Sequence, residues 1–351
     1  MSGRRATVLR LLWLVLIACI PLSCQASVPT VEIGMTVHSR GAGAAEIKRQ
    51  FDLMAAMNVT WVRVDFDWAV AETERGQFNW EYPDAIVAEA AAHGMKVLGV
   101  LAFSPEWARP SIRGDSSTAR HSRPEQLSDW ANFARVAAER YTPRGVHTWE
   151  IWNEPNTRTF WPPNPDVNEY GTLFEVAAEA IRGVDQRATL LIGGLAPKFH
   201  VPESEIAPIA YLEQLYQTGA VQLADGVAIH PYTFPALPMD SPQRAQGGFR
   251  DLPQLRAVMD SHGDGRKKIW ITEFGAPTGT GPYAVSEDKQ AAILLRARQQ
   301  VQQWDWIGAL IFYELVDGGT DPTDVEQNFG VLRQDLAPKP AANALMDLAP
   351  T

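Results

Sequence analysis

Residues 147–156 read His-Thr-Trp-Glu-Ile-Trp-Asn-Glu-Pro-Asn. The first six are mostly aromatic or β-branched, whereas Asn153-Glu154-Pro155-Asn156 is polar and turn-forming. A short β-rich run that stops abruptly on polar groups is the signature of a buried parallel strand reaching the rim of its sheet. The same pattern recurs at 31–37, 61–66, 96–102, 190–193, 226–230, 268–272 and 309–313. Helical patterns separate these runs, at 46–57, 82–93, 125–141, 169–184, 208–216, 252–260, 286–304 and 341–348. Gly94 stands where the second helix should stop, and Ser286 opens the seventh with Lys289 inside it. Eight strands, each followed by a helix, predict an α/β protein with a single-domain (β/α)8 TIM barrel. The alternative is a doubly wound open sheet, which often carries a Gly-rich phosphate loop after its first strand. No such loop follows any strand here, and no internal repeat or linker interrupts the pattern.

Working outward, the 351 residues are 46% hydrophobic, enough for one large core. A net charge of −10 without a basic run past the N-terminus argues against a nucleic-acid partner. Residues 1–26 read as a secretory signal, leaving 27–351 as the catalytic domain: Arg4 and Arg5 precede an apolar run at 11–20, and Cys24-Gln25-Ala26 offers a cleavage site. That order predicts a secreted or cell-envelope protein. Two variants stay open: an uncleaved signal as anchor, and a lipoprotein modified at Cys24, although Pro21 sits poorly for that. The pair Arg4-Arg5 also allows twin-arginine export. Both cysteines, Cys19 and Cys24, fall inside this segment, so the remainder has no disulfide and no thiol chemistry.

In such a barrel, chemistry belongs at the C-terminal ends of the strands. Those ends carry His38, Arg63 and Asp65, Trp107 after the third strand, Asn153 and Glu154, His230 and Tyr232, Glu273, then Tyr313 and Glu314. A single glutamate at a strand end is ordinarily a solvated loop carboxylate. Glu154 and Glu273, however, sit among Trp152, Trp270 and Phe274, which makes an open surface position a poor fit. Strands four and seven face each other across a barrel. Two facing carboxylates are what glycoside hydrolysis needs, one to protonate the leaving oxygen and one to attack or to activate water. The histidines His38, His147, His200 and His230 show no paired metal-ligand spacing, so no metal or other cofactor is expected.

With these residues in place, Trp149-Glu150-Ile151-Trp152-Asn153-Glu154-Pro155-Asn156 resembles the acid/base signature of glycoside hydrolase clan A. Trp270-Ile271-Thr272-Glu273-Phe274-Gly275 resembles that clan's nucleophile signature, and the chain is most similar to families 39 and 5. Arg63-Val64-Asp65 through Trp68, the segment 74–80, the Ser104-Pro105-Glu106-Trp107-Ala108 ending, and Phe329-Gly330-Val331-Leu332 with Pro338-Lys339-Pro340-Ala341 agree with it in order. The resemblance covers nearly all the chain after the signal. It implies a retaining glycosidase that works by double displacement, with Glu154 as acid/base, Glu273 as nucleophile and Asn153 bonding the sugar 2-hydroxyl. Arg63 then keeps Glu273 ionised, or else forms an ion pair with Glu150 or Asp65 on the barrel floor. His38, His230 and Tyr232 become candidate substrate or nucleophile contacts, and Trp107, Phe160, Trp161 and Tyr313 candidate stacking platforms or core. Many clan members end strand eight with a tryptophan, where this chain has Tyr313. Glu314 adds a third carboxylate able to recognise a hydroxyl or an amino sugar.

The expected substrate is a β-linked or furanosidic sugar in an extracellular or cell-envelope polysaccharide or oligosaccharide. A transglycosylase using the same groups, a non-catalytic carbohydrate-binding barrel and a metal-dependent hydrolase are the alternatives. The retaining mechanism predicts carboxyl groups about 5–5.5 Å apart, and Trp107, Trp161 and Tyr232 are expected to border the groove above them.

Overall fold

The computed structural model describes residues 31–110, 119–199, 205–240 and 245–348. Residues 1–26, read from sequence as a signal, with Cys19 and Cys24, and also His200, lie outside the described residues. Eight strands close into a barrel: β1 (Glu32–Thr36), β2 (Trp61–Asp67), β3 (Lys96–Ala102), β4 (Thr148–Asn153), β5 (Thr189–Leu195), β6 (Gly226–Ile229), β7 (Lys268–Phe274) and β8 (Ile307–Phe312). Every neighbouring pair is parallel, and β8 returns to β1 to seal the ring. Among the described residues, eight helices of seven residues or more surround it: α1 (Ala44–Ala56), α2 (Glu81–Ala92), α3 (Leu127–Tyr141), α4 (Val167–Arg182), α5 (Pro208–Tyr216), α6 (Leu252–Ser261), α7 (Glu287–Val301) and α8 (Pro340–Met346). This is the (β/α)8 barrel that the alternation of runs predicts.

Each helix turns one apolar stripe inward. On α3, Trp130, Phe133, Ala134, Ala137, Ala138 and Tyr141 recur every three or four residues and are all buried. The signals read from sequence operate locally: the Ser286 side chain accepts from Lys289 N, and Gly94 takes the left-handed conformation (φ 66°) just past α2.

Inside the ring, side chains alternate with period two, so every second residue of a strand faces the axis. Trp61, Leu98, Leu191, Ala228, Ala309 and Ile311, with Trp270 against them, form a dry plug at the base. One layer higher the same faces carry Arg63, Glu150, His230 and Thr272. Barrel geometry thus converts the in-and-out alternation into a vertical gradient, with an apolar floor and a charged mouth.

The strand ends differ from expectation at several points. β5 continues through Gly193 and Gly194 to Leu195, because these glycines serve close packing instead of ending the strand. A Cβ on Gly194 would lie 2.0 Å from His230 Nε2, and one on Gly193 would lie 2.7 Å from the carbonyl oxygens of Ile151 and Trp152. β7 runs two residues past Thr272, which places Glu273 within the strand. β8 stops at Phe312 and β6 at Ile229, leaving Tyr313 and His230 just above the ring. A small antiparallel ribbon, Lys198–Phe199 with Ala245–Gln246, has no counterpart in the sequence pattern and ties the loops after β5 and β6 together.

Candidate active site

The turn that follows β4 is held in an unusual shape. Trp152 and Glu154 both have positive φ, 72° and 46°, a region that side chains with a Cβ rarely occupy. Such a conformation persists only where its surroundings over-determine it. Here Glu154 N donates to Gly194 O (3.0 Å), and Thr157 N returns to Glu154 O (3.0 Å). The buried Asn156 side chain donates to Ala196 O and Ile206 O and accepts from Ala196 N. Trp152 Nε1 donates to Phe160 O at 2.8 Å. Asn156 and Trp152 are therefore fasteners, and their product is a fixed Glu154 side chain at the mouth of the barrel.

Glu273 comes from β7. Gly275 behind it is required by close approach, since a Cβ there would stand 2.0 Å from Tyr313 O. One oxygen each of Glu154 and Glu273 and a ring nitrogen of His230 all lie within 4.8 Å of one another. The two carboxylates have different surroundings. Arg63 Nη1 donates to Glu273 Oε1 at 2.5 Å, and Tyr232 OH donates to Glu273 Oε2 at 2.8 Å. Glu154 has one such partner, His230 Nδ1 at 2.9 Å. Burial pushes the Glu154 carboxyl above the usual carboxylate range, and the neighbouring charge on Glu273 adds to this. Both outweigh the pull of His230 in the other direction.

A buried ionic layer lies beneath the pair. Arg63 is 2% exposed and spans three acceptors: Glu150 through Nε (3.0 Å) and Nη2 (3.2 Å), Asn153 Oδ1 (3.0 Å), and Glu273. The two readings of Arg63 are thus both realised, as floor ion pair and as neighbour of Glu273, while Asp65 pairs with His38 instead. Burial opposes the charge on Glu150, yet Arg63 and His230 overcome it and hold its pKa at about 2. Glu150 also accepts from Gly194 N at 2.8 Å. Burial likewise disfavours the His230 cation, but Glu273, Glu150 and Glu154 raise its pKa to about 9. Glu154, His230 and Glu273 have donor types that also ligate metals, but the Arg63 guanidinium already supplies positive charge beside Glu273.

Across the mouth, His38 Nδ1 donates to Glu314 Oε2 at 2.6 Å, with Nε2 3.6 Å from Asp65. Desolvation disfavours its charged form, and these two carboxylates reverse the effect, raising its pKa to about 10. A cavity of about 710 Å³ stands over the two carboxylates, within the range of small-molecule sites. His38, Arg63, Asn153, Glu154, Tyr232, Glu273, Tyr313 and Phe160 from the sequence reading all line it. His230 touches both carboxylates from below, fully buried.

Trp107 and Trp161 do not border the cavity, which corrects the expectation for both. Trp161 is 1% exposed and packs against Trp152 and Tyr170, where it props the strained turn from behind. Trp107 follows β3 and stands edge-on to Trp68, with Nε1 donating to Glu72 O and Arg75 over its ring. The aromatic wall is built instead from Phe103, Phe234 and Phe329, joined by His121 and Arg120. Phe329 belongs to a segment that the sequence offers only as part of the family resemblance, with no site role. The others stand in loops where no periodicity says which way a side chain faces.

Comparison with known proteins agrees with this geometry. The model of the family described as glycosyl hydrolases family 39 matches residues 55–239, more than half the chain. The β-xylosidase of Geobacillus stearothermophilus is 30% identical over 129 residues, 34% of this chain and 24% of that protein. Among solved structures, a family 39 glycoside hydrolase from Bacteroides cellulosilyticus WH2 superposes with TM-score 0.70 at 24% identity, covering 91% of this chain and 63% of that one. A monomeric β-xylosidase from Caulobacter crescentus CB15 gives 0.69 at 18% identity, over 91% and 68%. At these identities the superpositions speak for the fold, and the chain spans about a quarter of the curated relative it matches. The matched segment contains β4 and its Asn-Glu-Pro turn, and the chain belongs to glycosyl hydrolase family 39.

Proposed function

We propose that this protein is a retaining glycoside hydrolase acting on O-glycosidic bonds, with Glu154 as general acid/base and Glu273 as nucleophile. The observation that carries this reading is the convergence of two carboxylates with different surroundings, oxygens within 4.8 Å, at the barrel mouth. Retaining enzymes hold the pair about 5–5.5 Å apart, inverting ones about 6.5–9.5 Å to admit a water. In the first step Glu273 attacks the anomeric carbon while the Glu154 proton passes to the departing oxygen. In the second, Glu154 takes a proton from water, which displaces Glu273 from the sugar. Arg63 and Tyr232 hold Glu273 aimed, with the guanidinium directly against its carboxylate. Glu154, with burial and no cation other than His230 in contact, keeps its proton for the leaving group. Asn153, fixed by Arg63, offers its amide to a 2-hydroxyl.

The relatives named β-xylosidases support a β-linked substrate, and the leader-like order of residues 1–26 supports export to an extracellular or cell-envelope glycan. The test is turnover of para-nitrophenyl β-xyloside, β-glucoside and β-galactoside by the wild type and by Glu273→Ala. At least one should be cleaved, with the variant at background. Equal rates for the two proteins would refute the assignment.

A further inference from the structure

The main cavity and a second, smaller one meet at a single shared residue, His38. Glu154 marks the leaving-group side, so the ring bonded to Glu273 extends away from it, toward His38, Glu314 and Tyr313. An enzyme that trims only chain ends needs a wall there. The residue at that place is His38, with 39% of its side chain exposed. On its far side lies a second cavity of about 380 Å³ that shares His38 with the first. Arg40, Glu46, Gln50, Asp317 and Gln334 line it, together with glycines of the loops after β1 and β8. These are hydrogen-bonding side chains of both signs, suited to hydroxyls and not to an apolar ligand. His38 is fixed by Asp65 and Glu314 on the barrel side, which makes it a sill between two chambers. On the leaving-group side the main cavity continues under the stacked rings of Phe103 and Phe160, 5.9 Å apart, with His121 4.6 Å from each. The catalytic pair therefore stands in the middle of a binding surface.

We propose that this site takes an internal stretch of a glycan, with a further sugar seated beyond His38 in the chamber of Arg40, Gln50 and Gln334. This rests on the glycosidase reading of Glu154 and Glu273. A sugar bound there is remote from the reacting bond, and its binding energy raises kcat/KM for longer substrates.

The test compares each of the three para-nitrophenyl β-glycosides with its β-linked disaccharide counterpart. On the sugar that is accepted, the disaccharide should be cleaved with kcat/KM at least about tenfold higher, releasing nitrophenol and intact disaccharide. Gln334→Trp, an exposed position where an indole fills the chamber, should bring the ratio of the two kcat/KM values down toward one. Equal values for the two lengths, or release of the terminal sugar before nitrophenol, would overturn the extension and leave the glycosidase reading standing. Cleavage of none of them, with Glu273→Ala matching the wild type, would overturn both.

Discussion

His230 is fully buried, yet its ring nitrogens face three carboxylates: Glu154 at 2.9 Å, Glu273 at 3.4 Å and Glu150 at 3.8 Å. An imidazole so placed is more stable charged than neutral, and its pKa rises to about 9 from an ordinary value of about 6.5. Its contribution to stability is therefore complete below about pH 6.5 and is lost as pH rises through about 9. His38, raised to about 10, acts in the same direction. Glu150 has the opposite sign: depressed to about 2, its contribution is present above about pH 4.3 and is lost as pH falls toward 2. Stability should then be greatest between about pH 4.5 and 6.5. Urea unfolding at pH 6 and pH 9.5 should show a loss at the higher pH that is smaller in His230→Asn. An undiminished loss in that variant would mean that His230 is not charged in the folded protein.

At the scale of elements, the sequence reveals type and order well and ends poorly. All eight strands and eight helices were legible, because period two and period three-to-four patterns persist over whole segments. The exceptions have physical causes. Gly193 reads as a strand stop, since glycine usually ends strands, but here it lets β5 approach β4. Glu154 and Glu273 were legible because their flanking residues are themselves structural: Asn156, Trp152 and Gly275 are needed for the turns that aim them. Which aromatic faces the ligand was not, because Trp107, Phe160 and Trp161 lie in loops without periodicity. Trp161 turned out to be the brace behind the β4 turn. Trp161→Ala should cost about 3–5 kcal/mol of unfolding free energy, as for other large buried aromatics, with KM unchanged. Unaltered stability and a raised KM would return Trp161 to the substrate site.

Taken as a whole, the molecule separates support from chemistry along the barrel axis. The Trp61–Trp270 plug fills the base, the buried Arg63–Glu150–His230 layer lies above it, and higher still Glu154 and Glu273 meet the cavity. That stacking was only partly readable from sequence: alternation shows which residues face inward, but the height at which charges on different strands meet depends on strand register. The roles of the two carboxylates are the central claim, and the configuration of azide products tests them most directly. Glu154→Ala should retain its first step on an activated aryl glycoside, with proton transfer worth about 10²–10⁴-fold lost overall. Azide needs no general base, so it should rescue this variant and give a glycosyl azide of retained configuration, read by the anomeric NMR signal. In Glu273→Ala azide should attack the substrate directly and give the inverted anomer. Inverted product from Glu154→Ala with retained product from Glu273→Ala would contradict the assignment and exchange the two roles.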